Sequence, residues 1–383
     1  MVGAIVIEGH VQGLSNVRSL GELGVPVYVI DVNHCLAQHS KYCRKFFRCP
    51  DYRTEEFVEF LVELGQKEGL KEWFLIASND HVVENLSTHH DRLSVYYKML
   101  VPIGRTLDVI IDKCQLVKVA LSAGVHVPAT YDVPLLGKTD PFRFPLLVKG
   151  SRGLSFYKEM HVKAIQVDND DELQHIVNSL SSRMDASSYM VQEMIPFDEA
   201  AGVVSFTCFA VDGEIKTYWM GKKMREHPIR YGTATCAQSI FLPQVLDEAI
   251  PLIRQLKYTG TCEVEFMYDK RDGIYKLIEI NPRTWLWVGL AKECGVDYAK
   301  IMFKYAMGVQ NEYPQGYAVD VKWINRLTDG VFAAKSILKG NISISEYIRS
   351  LKGKKVYAIW SWKDPWPGIL FPFLSLYIAK KRK

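Results

Sequence analysis

The sequence predicts an α/β unit followed by an α+β unit, and three observations carry that assignment. The chain opens strand–helix–strand: "GAIVIEG" is a short apolar run, "GLSNVRSLGELG" is helical and closes at Gly24, and "VPVYVID" is a second strand ending at Asp31. Further on, "FPLLVKGSRGLSFYK" runs an apolar strand straight into a basic, glycine-containing turn. Beyond that, hairpin signals replace the strand–helix alternation, at Asp212–Gly213 and at "DKRDG". At 383 residues the chain is long enough for two or three packed units.

Composition narrows the function classes. About half the residues are apolar, a quarter are charged, and the net charge is +4 with both signs interspersed. That is a folded soluble composition without the concentrated basic face of a nucleic-acid binder. The start "MVGAIVIEGH" has neither a basic n-region nor a cleavage site and reads as a first strand. Eight cysteines without a C-x-x-C pair fit reduced thiols in a cytoplasmic protein. His34, Cys35, His39 and Cys43 lie close together, but their spacing matches no common zinc module.

Each element then raises its own expectation. In the opening βαβ unit, Gly9 and Gly13 do not make G-x-G-x-x-G, so the unit reads as a Rossmann-like scaffold that binds no dinucleotide. "EEFVEFLVELGQKEG" is an amphipathic helix. "WFLIASND" is a strand running into Ser78, Asn79 and Asp80, at the strand end where open α/β sheets bind ligands. Asp112 caps a helix ending at Gly124, with Lys113 in its first turn against the helix dipole. Lys149, Gly150, Ser151, Arg152 and Gly153 form either an ordinary basic turn or a phosphate clamp of backbone N–H groups. It is not a P-loop, because G-x-x-x-x-G-K-[ST] is absent. "SYMVQEMIPF" is a strand carrying Gln192 and Glu193, and a hairpin leads to Lys222, Lys223 and Arg225.

"TCEVEFMY" and "IYKLIEINP" flank "DKRDG" as a second hairpin. Glu263 and Glu265 share one face of the first strand, and Glu279 and Asn281 share one face of the second. A five-residue loop from Lys270 to Ile274 sets Glu265 opposite Glu279; a loop one residue shorter shifts that pairing. Paired carboxylates in apolar strands repel unless a cation lies between them. Glu265, Glu279 and the amide oxygen of Asn281 form an oxygen-only set that suits Mg²⁺. The competing reading is a solvated face.

Lys113, "LLVKGSRG", "VQEMI", "CEVEF" and "LIEINPR", in that order, resemble the ATP-grasp superfamily, in its branch around biotin carboxylase and carbamoyl-phosphate synthetase. "KKMREHPIRYGTAT" with "IEINPRTW" resembles the smaller D-aspartate ligase-like carboxylate–amine ligases. The short "GSRGLS" segment departs from the long glycine-rich lid of biotin carboxylase, which disfavours a bicarbonate-carboxylating enzyme. The resemblance implies a two-lobed ATP-grasp fold. Its units are a Rossmann-like domain (1–111), a small lobe (112–190), a catalytic lobe (191–318) and a C-terminal extension (319–383). It also implies that ATP phosphorylates a small-molecule or peptide carboxylate, that an amine displaces phosphate to form an amide, and that ADP is released. Lys113 and Lys149, with Ser151 and Gly153, would hold phosphates; Gln192, Glu193 and Ile195 would fall on the adenine hinge. Glu265, Glu279 and Asn281 would ligate Mg²⁺ or Mn²⁺, as two ions, and Arg283, Arg225 and Lys223 would face the transferring group. Other acceptors, a thiol or a carboxylation, and a silent ATP-binding regulator are the competing functions.

The last segment, "VYAIWSWKDPWPGILFPFLSLYIAKKRK", differs in character from the rest. Ile369 to Ala379 is apolar but short of the roughly 20 residues that span a bilayer. Trp360, Trp362 and Trp366 precede it and Lys380, Lys381, Arg382 and Lys383 follow, a pattern that suits either an anionic membrane surface or packing on the core. Contact through residues 360–383 would place a cytoplasmic enzyme on the inner membrane face and fit work on a lipid-linked cell-envelope precursor.

Overall fold

The computed structural model describes residues 2–131, 133, 142–198, 201–227 and 232–381. Its N-terminal unit runs β1 (Ala4–Ile7), α1 (Val11–Glu22), β2 (Val27–Asp31), β3 (Cys43–Arg48), α2 (Glu55–Glu68), β4 (Trp73–Ala77), α3 (Asp80–Thr88), α4 (His90–Leu93) and β5 (Tyr97–Met99). These strands form a parallel sheet in the order β3-β2-β1-β4-β5. Alternate residues of β1 serve two cores: Ala4 and Val6 pack toward α1, while Ile5 and Ile7 pack toward α2 and α3. Burial on both faces explains why the strands read as unbroken apolar runs.

Helices α5 (Arg105–Ile111) and α6 (Lys113–Ser122) lead out of this unit. As the sequence predicts, Asp112 caps α6, its side chain accepting from Cys114 and Gln115 N–H, and Gly124 takes positive φ just beyond the end. Next come β6 (Thr130–Tyr131), β7 (Leu146–Gly150), α7 (Gly153–Met160), β8 (Ala164–Val167), α8 (Asp170–Ser181) and β9 (Tyr189–Glu193). Their antiparallel sheet has the order β6-β9-β7-β8.

The largest sheet takes β10 (Val203–Val211), β11 (Glu214–His227), β12 (Thr233–Ser239), β13 (Gly260–Asp269) and β14 (Ile274–Asn281). Helix α9 (Pro243–Gln255) covers one face, burying Val245, Ala249, Leu252 and Ile253 against Val264, Phe266 and Ile280. Helices α10 (Val288–Glu293) and α11 (Tyr298–Ala306) share a core with α1, which welds this sheet to the N-terminal unit. Trp219, Trp285, Trp287 and Trp323 sit in that core, and Gly221 makes room for it: a Cβ there would lie 2.3 Å from Trp219 and Trp287.

The C-terminal residues form β15 (Lys322–Ile324), α12 (Arg326–Leu338), α13 (Ile344–Ser350), β16 (Lys355–Tyr357) and α14 (Trp366–Lys381). Strands β15 and β16 join the same seven-stranded sheet, in the order β14-β13-β10-β11-β12-β15-β16. Buried Asp364 straps the segment before α14 to the N-terminal unit through Arg18, Ser40 and the Lys41 N–H. Packing on the core and exposure both occur in α14. Leu370, Phe371 and Leu374 face inward, while Trp366, Ile369, Phe373 and Leu376 face water. No helix among the described residues is long and apolar enough to cross a membrane.

Candidate active site

Strands β13 and β14 pair with Glu263 opposite Asn281 and Glu265 opposite Glu279. The route to that register differs from the five-residue loop expected. Asp269 pairs with Ile274, so the turn is Lys270–Gly273, one residue shorter. Leu277 pairs with Phe266 and Glu279 with Glu265, leaving Ile278 as a bulge that restores the alignment. The opposite faces of both strands carry Val264, Phe266 and Ile280 into the α9 core, so the carboxylates must face the other way.

The three acids on this face are not equivalent. Glu263 is buried; its carboxylate accepts from Ser205 Oγ at 2.8 Å and from Asn281 Nδ2 at 3.1 Å. Burial, and then the neighbouring Glu265, push its carboxyl up to about 8, against the pull of Lys223. It therefore orients Asn281 from behind. Lys223 donates to Glu265 Oε1 at 2.9 Å, and the acids hold that ammonium charged despite its burial. Two facing carboxylates fit a hard divalent cation, and the Lys223 ammonium beside them shows the demand for positive charge there, while Asn281 turns its amide nitrogen to Glu263 and Glu279 and its oxygen to Arg283.

Two further cations border the shelf. Arg283 lies just beyond Asn281 and donates to its Oδ1 at 3.2 Å, while Nε reaches Asp80 Oδ1 at 2.7 Å. The polar end of β4 thus meets the end of β14. Asn79 of the same loop caps α3 by accepting from Val82 N–H. Lys149 approaches from β7; burial and the Lys113 charge bring its amine down to about 8, with Glu279 opposing.

Several predicted residues sit in roles the sequence did not suggest. Gln192 faces Lys149: its Oε1 accepts from Nζ at 2.7 Å and its Nε2 donates to Thr130 Oγ1, so it positions the lysine. Glu193 pairs with Arg271 from the β13–β14 turn at 3.3 Å, and its N–H donates to Ala129 O. Ile195 is buried beside them. The backbone groups of Ser151 are engaged: its N–H donates to Ser188 O and its carbonyl accepts from Lys113 N–H. Gly153 opens α7, so the "GSRG" turn is short and runs directly into helix. Arg225 is turned away from the shelf, with Nε and Nη2 on Asp329 at 2.8 Å and Nη1 on Ser350. Of the segment 227–235, residues 228–231 lie outside the described residues, and Thr235 donates to Asp329.

The sequence reading missed Asp329, Glu8 and Gln12. Asp31, which a dinucleotide fold would offer to ribose, accepts instead from Gly9 N–H at 2.8 Å and Asn33 N–H at 3.0 Å.

A family model described as "Carbamoyl-phosphate synthase L chain, ATP binding domain" matches residues 237–312, the stretch that carries Glu263, Glu265, Glu279 and Arg283. Solved structures extend the likeness over most of the chain. Biotin carboxylase from Campylobacter jejuni superposes with a TM-score of 0.64 at 15% identity, over 84% of this chain and 74% of that one. The fold is ATP-grasp. L-amino acid ligase from Bacillus licheniformis gives 0.58 at 13% identity, over 80% of this chain and 74% of that one. In sequence, the chain is 24% identical to the D-aspartate ligase of Enterococcus faecium over 242 residues, 59% of this chain and 58% of the ligase. The chain thus spans little more than half the length of that relative, and only 6% of a carbamoyl phosphate synthase large chain it also matches.

Proposed function

We propose that this chain is an ATP-dependent carboxylate–amine ligase acting through an acyl phosphate. The observation that carries the reading is the facing pair Glu265–Glu279, with Asn281 beside it and Lys149, Lys223 and Arg283 around it. The likeness to D-aspartate ligase and L-amino acid ligase supports the amine as acceptor, and the short "GSRGLS" turn supports it over carboxylation. Lys149, steadied by Gln192, and Lys113 bind the ATP phosphates, while the strand end Gln192–Ile195 borders the adenine. Glu265, Glu279 and Asn281 hold one or two Mg²⁺ or Mn²⁺ ions, which neutralise the phosphate charge when bound. Arg283, fixed by Asp80, stabilises charge on the phosphoryl and acyl groups from a preorganised position. Incubation with ATP, Mg²⁺ and pooled amino acids should release ADP and phosphate together with an amide detected by mass spectrometry. Release of AMP, or ATP binding without turnover, contradicts the reading.

The same site sets a pH dependence. The Lys149 amine is charged below its folded value of about 8 and neutral above it. Phosphate favours the charged form, so ATP affinity is expected to fall by about tenfold between pH 7 and pH 9. Lys149→Arg should flatten that profile; a dissociation constant independent of pH would contradict it.

We assign the outer face of α14 to an anionic membrane surface. Trp366, Ile369, Phe373 and Leu376 recur at helical spacing and are 57, 45, 69 and 67% exposed. Four consecutive cations, 380–383, follow, with no acid after Asp364. A second copy packed in parallel would bring two such basic ends together, whereas anionic lipid neutralises them. F373E/L376E is expected to lower binding to phosphatidylglycerol vesicles at least about tenfold, because each apolar side chain contributes roughly 1.5–3 kcal/mol. Equal co-sedimentation of variant and wild type would refute the assignment.

A further inference from the structure

We propose that the polar groups at the carboxyl ends of β1 and β4 bind the amine substrate as its ammonium ion, with Glu8 as the ion-pair partner that accepts its proton. The inference rests on the ligase reading and names the class of its second substrate.

Glu8 follows β1 directly and holds φ at +72°, a left-handed conformation unusual for glutamate. The backbone is locked there. Its N–H donates to Ile30 O, and α1 presses on its carbonyl through Gly13, where a Cβ would lie 2.1 Å from that oxygen. Strain retained at a strand end in an open α/β sheet marks the position where ligands bind.

The polar groups around Glu8 suit a cation. Gln12 Nε2 reaches Glu8 Oε2 at 3.4 Å and the Ser78 carbonyl at 3.0 Å, which places the Gln12 amide between them. Gln12 Oε1 and Ser78 Oγ are both buried and have no hydrogen-bond partner. With the carboxylate, these oxygens are acceptors that the N–H donors of an ammonium group can use once the Gln12 amide turns. The other acids here are already committed. Asp31 is taken by the Gly9 and Asn33 N–H groups, and Asp80 by Arg283. Among the described residues, the side chains that hydrogen-bond the Glu8 carboxyl, Gln12 and Asn79, are neutral.

These groups also neighbour the carboxylate shelf. Arg283 links them to it, bonding Asp80 on one side and Asn281 on the other. Burial, and then the charge of Asp31, raise the Glu8 carboxyl to about 7; Arg283 and Asn79 oppose this and Asp80 adds to it. A carboxylate so poised is matched to proton transfer near neutral pH. In the step, the ammonium gives one proton to Glu8 and the freed lone pair forms the C–N bond at the acyl carbon. The C–O bond to phosphate breaks, phosphate leaves with the electron pair, and the second nitrogen proton departs to it.

Hydroxylamine separates this inference from the reading beneath it, because it attacks acyl phosphates as a neutral nucleophile. Wild type and Glu8→Gln would be assayed with ATP, Mg²⁺ and the twenty L-amino acids with their D-enantiomers, first with hydroxylamine and then pairwise. Glu8→Gln should still yield hydroxamate while KM for the amine rises at least about tenfold, and the rise of kcat/KM for the amine through pH 7 should vanish. Ser78→Ala should raise the same KM by a smaller factor. A Glu8→Gln enzyme with wild-type amine KM overturns the inference, as does a wild type that forms hydroxamate yet accepts no ammonium compound. Absence of both hydroxamate and ADP release in the wild type overturns the ligase reading itself.

Discussion

Glu279→Gln is expected to lower ATP turnover by about 10²–10³-fold at saturating Mg²⁺ while leaving the thermal midpoint within a few degrees of wild type. Glu279 lies opposite Glu265, and Asn281 Nδ2 approaches its Oε1 at 3.4 Å. An amide keeps the shape and one oxygen but removes the charge that would hold a divalent cation between the two strands. Easing the repulsion with Glu265 should, if anything, favour the folded state. Substrate-dependent ADP release read against Mg²⁺ concentration, with circular dichroism melts alongside, separates the outcomes. A variant with wild-type turnover would refute the metal role of the pair.

The second large effect is on stability and lies at the other end of the same sheet. Asp329→Ala is expected to destabilise the protein by about 3 kcal/mol, because breaking a buried ion pair strands its partner. Asp329 is fully buried and accepts from Arg225 Nε and Nη2, Thr235 Oγ1 and the Tyr347 hydroxyl. Arg225 keeps some contact with water, with its side chain 21% exposed, which places the cost at the low end of the range for buried pairs. The shift should appear as a lower urea midpoint and as earlier proteolysis within α12 and α13. Unchanged unfolding would mean that this cluster does not hold the C-terminal residues to β11 and β12.

Much of the fold was legible because its signals are local. The N-terminal strands are buried on both faces and read as apolar runs; Asp112 and Gly124 mark the ends of α6 through capping chemistry. The shelf was legible for a related reason. Glutamates alternating with Val264, Phe266 and Ile280 are a costly pattern in a strand, so the expense itself points to a partner cation. The turn was less so: four residues or five are equally consistent with "DKRDG", and the Ile278 bulge has no residue signature.

Other roles depended on which surfaces meet. Gln192 lies in a segment that resembles a nucleotide hinge, yet its side chain emerges beside Lys149 because β7 and β9 pair there. The Ser151 N–H looked available until β7 was placed against the 186–188 turn, whose Ser188 carbonyl takes it. Arg225 resembled a free catalytic cation and found Asp329 more than a hundred residues away. The carboxyl of Glu8 becomes unusual only when Asp31, Asn79 and Arg283 converge on it.

What the sequence by itself determined is therefore the opening strand–helix–strand, the two hairpins, the Asp112 cap, and the face on which Glu265, Glu279 and Asn281 stand. Periodicity and capping act over a few residues and need no knowledge of the rest of the chain. Tertiary structure alone decided which charges remain available for chemistry. A side chain's charge is spent or kept according to partners brought from distant segments, and burial then sets how strongly each remaining group holds its proton.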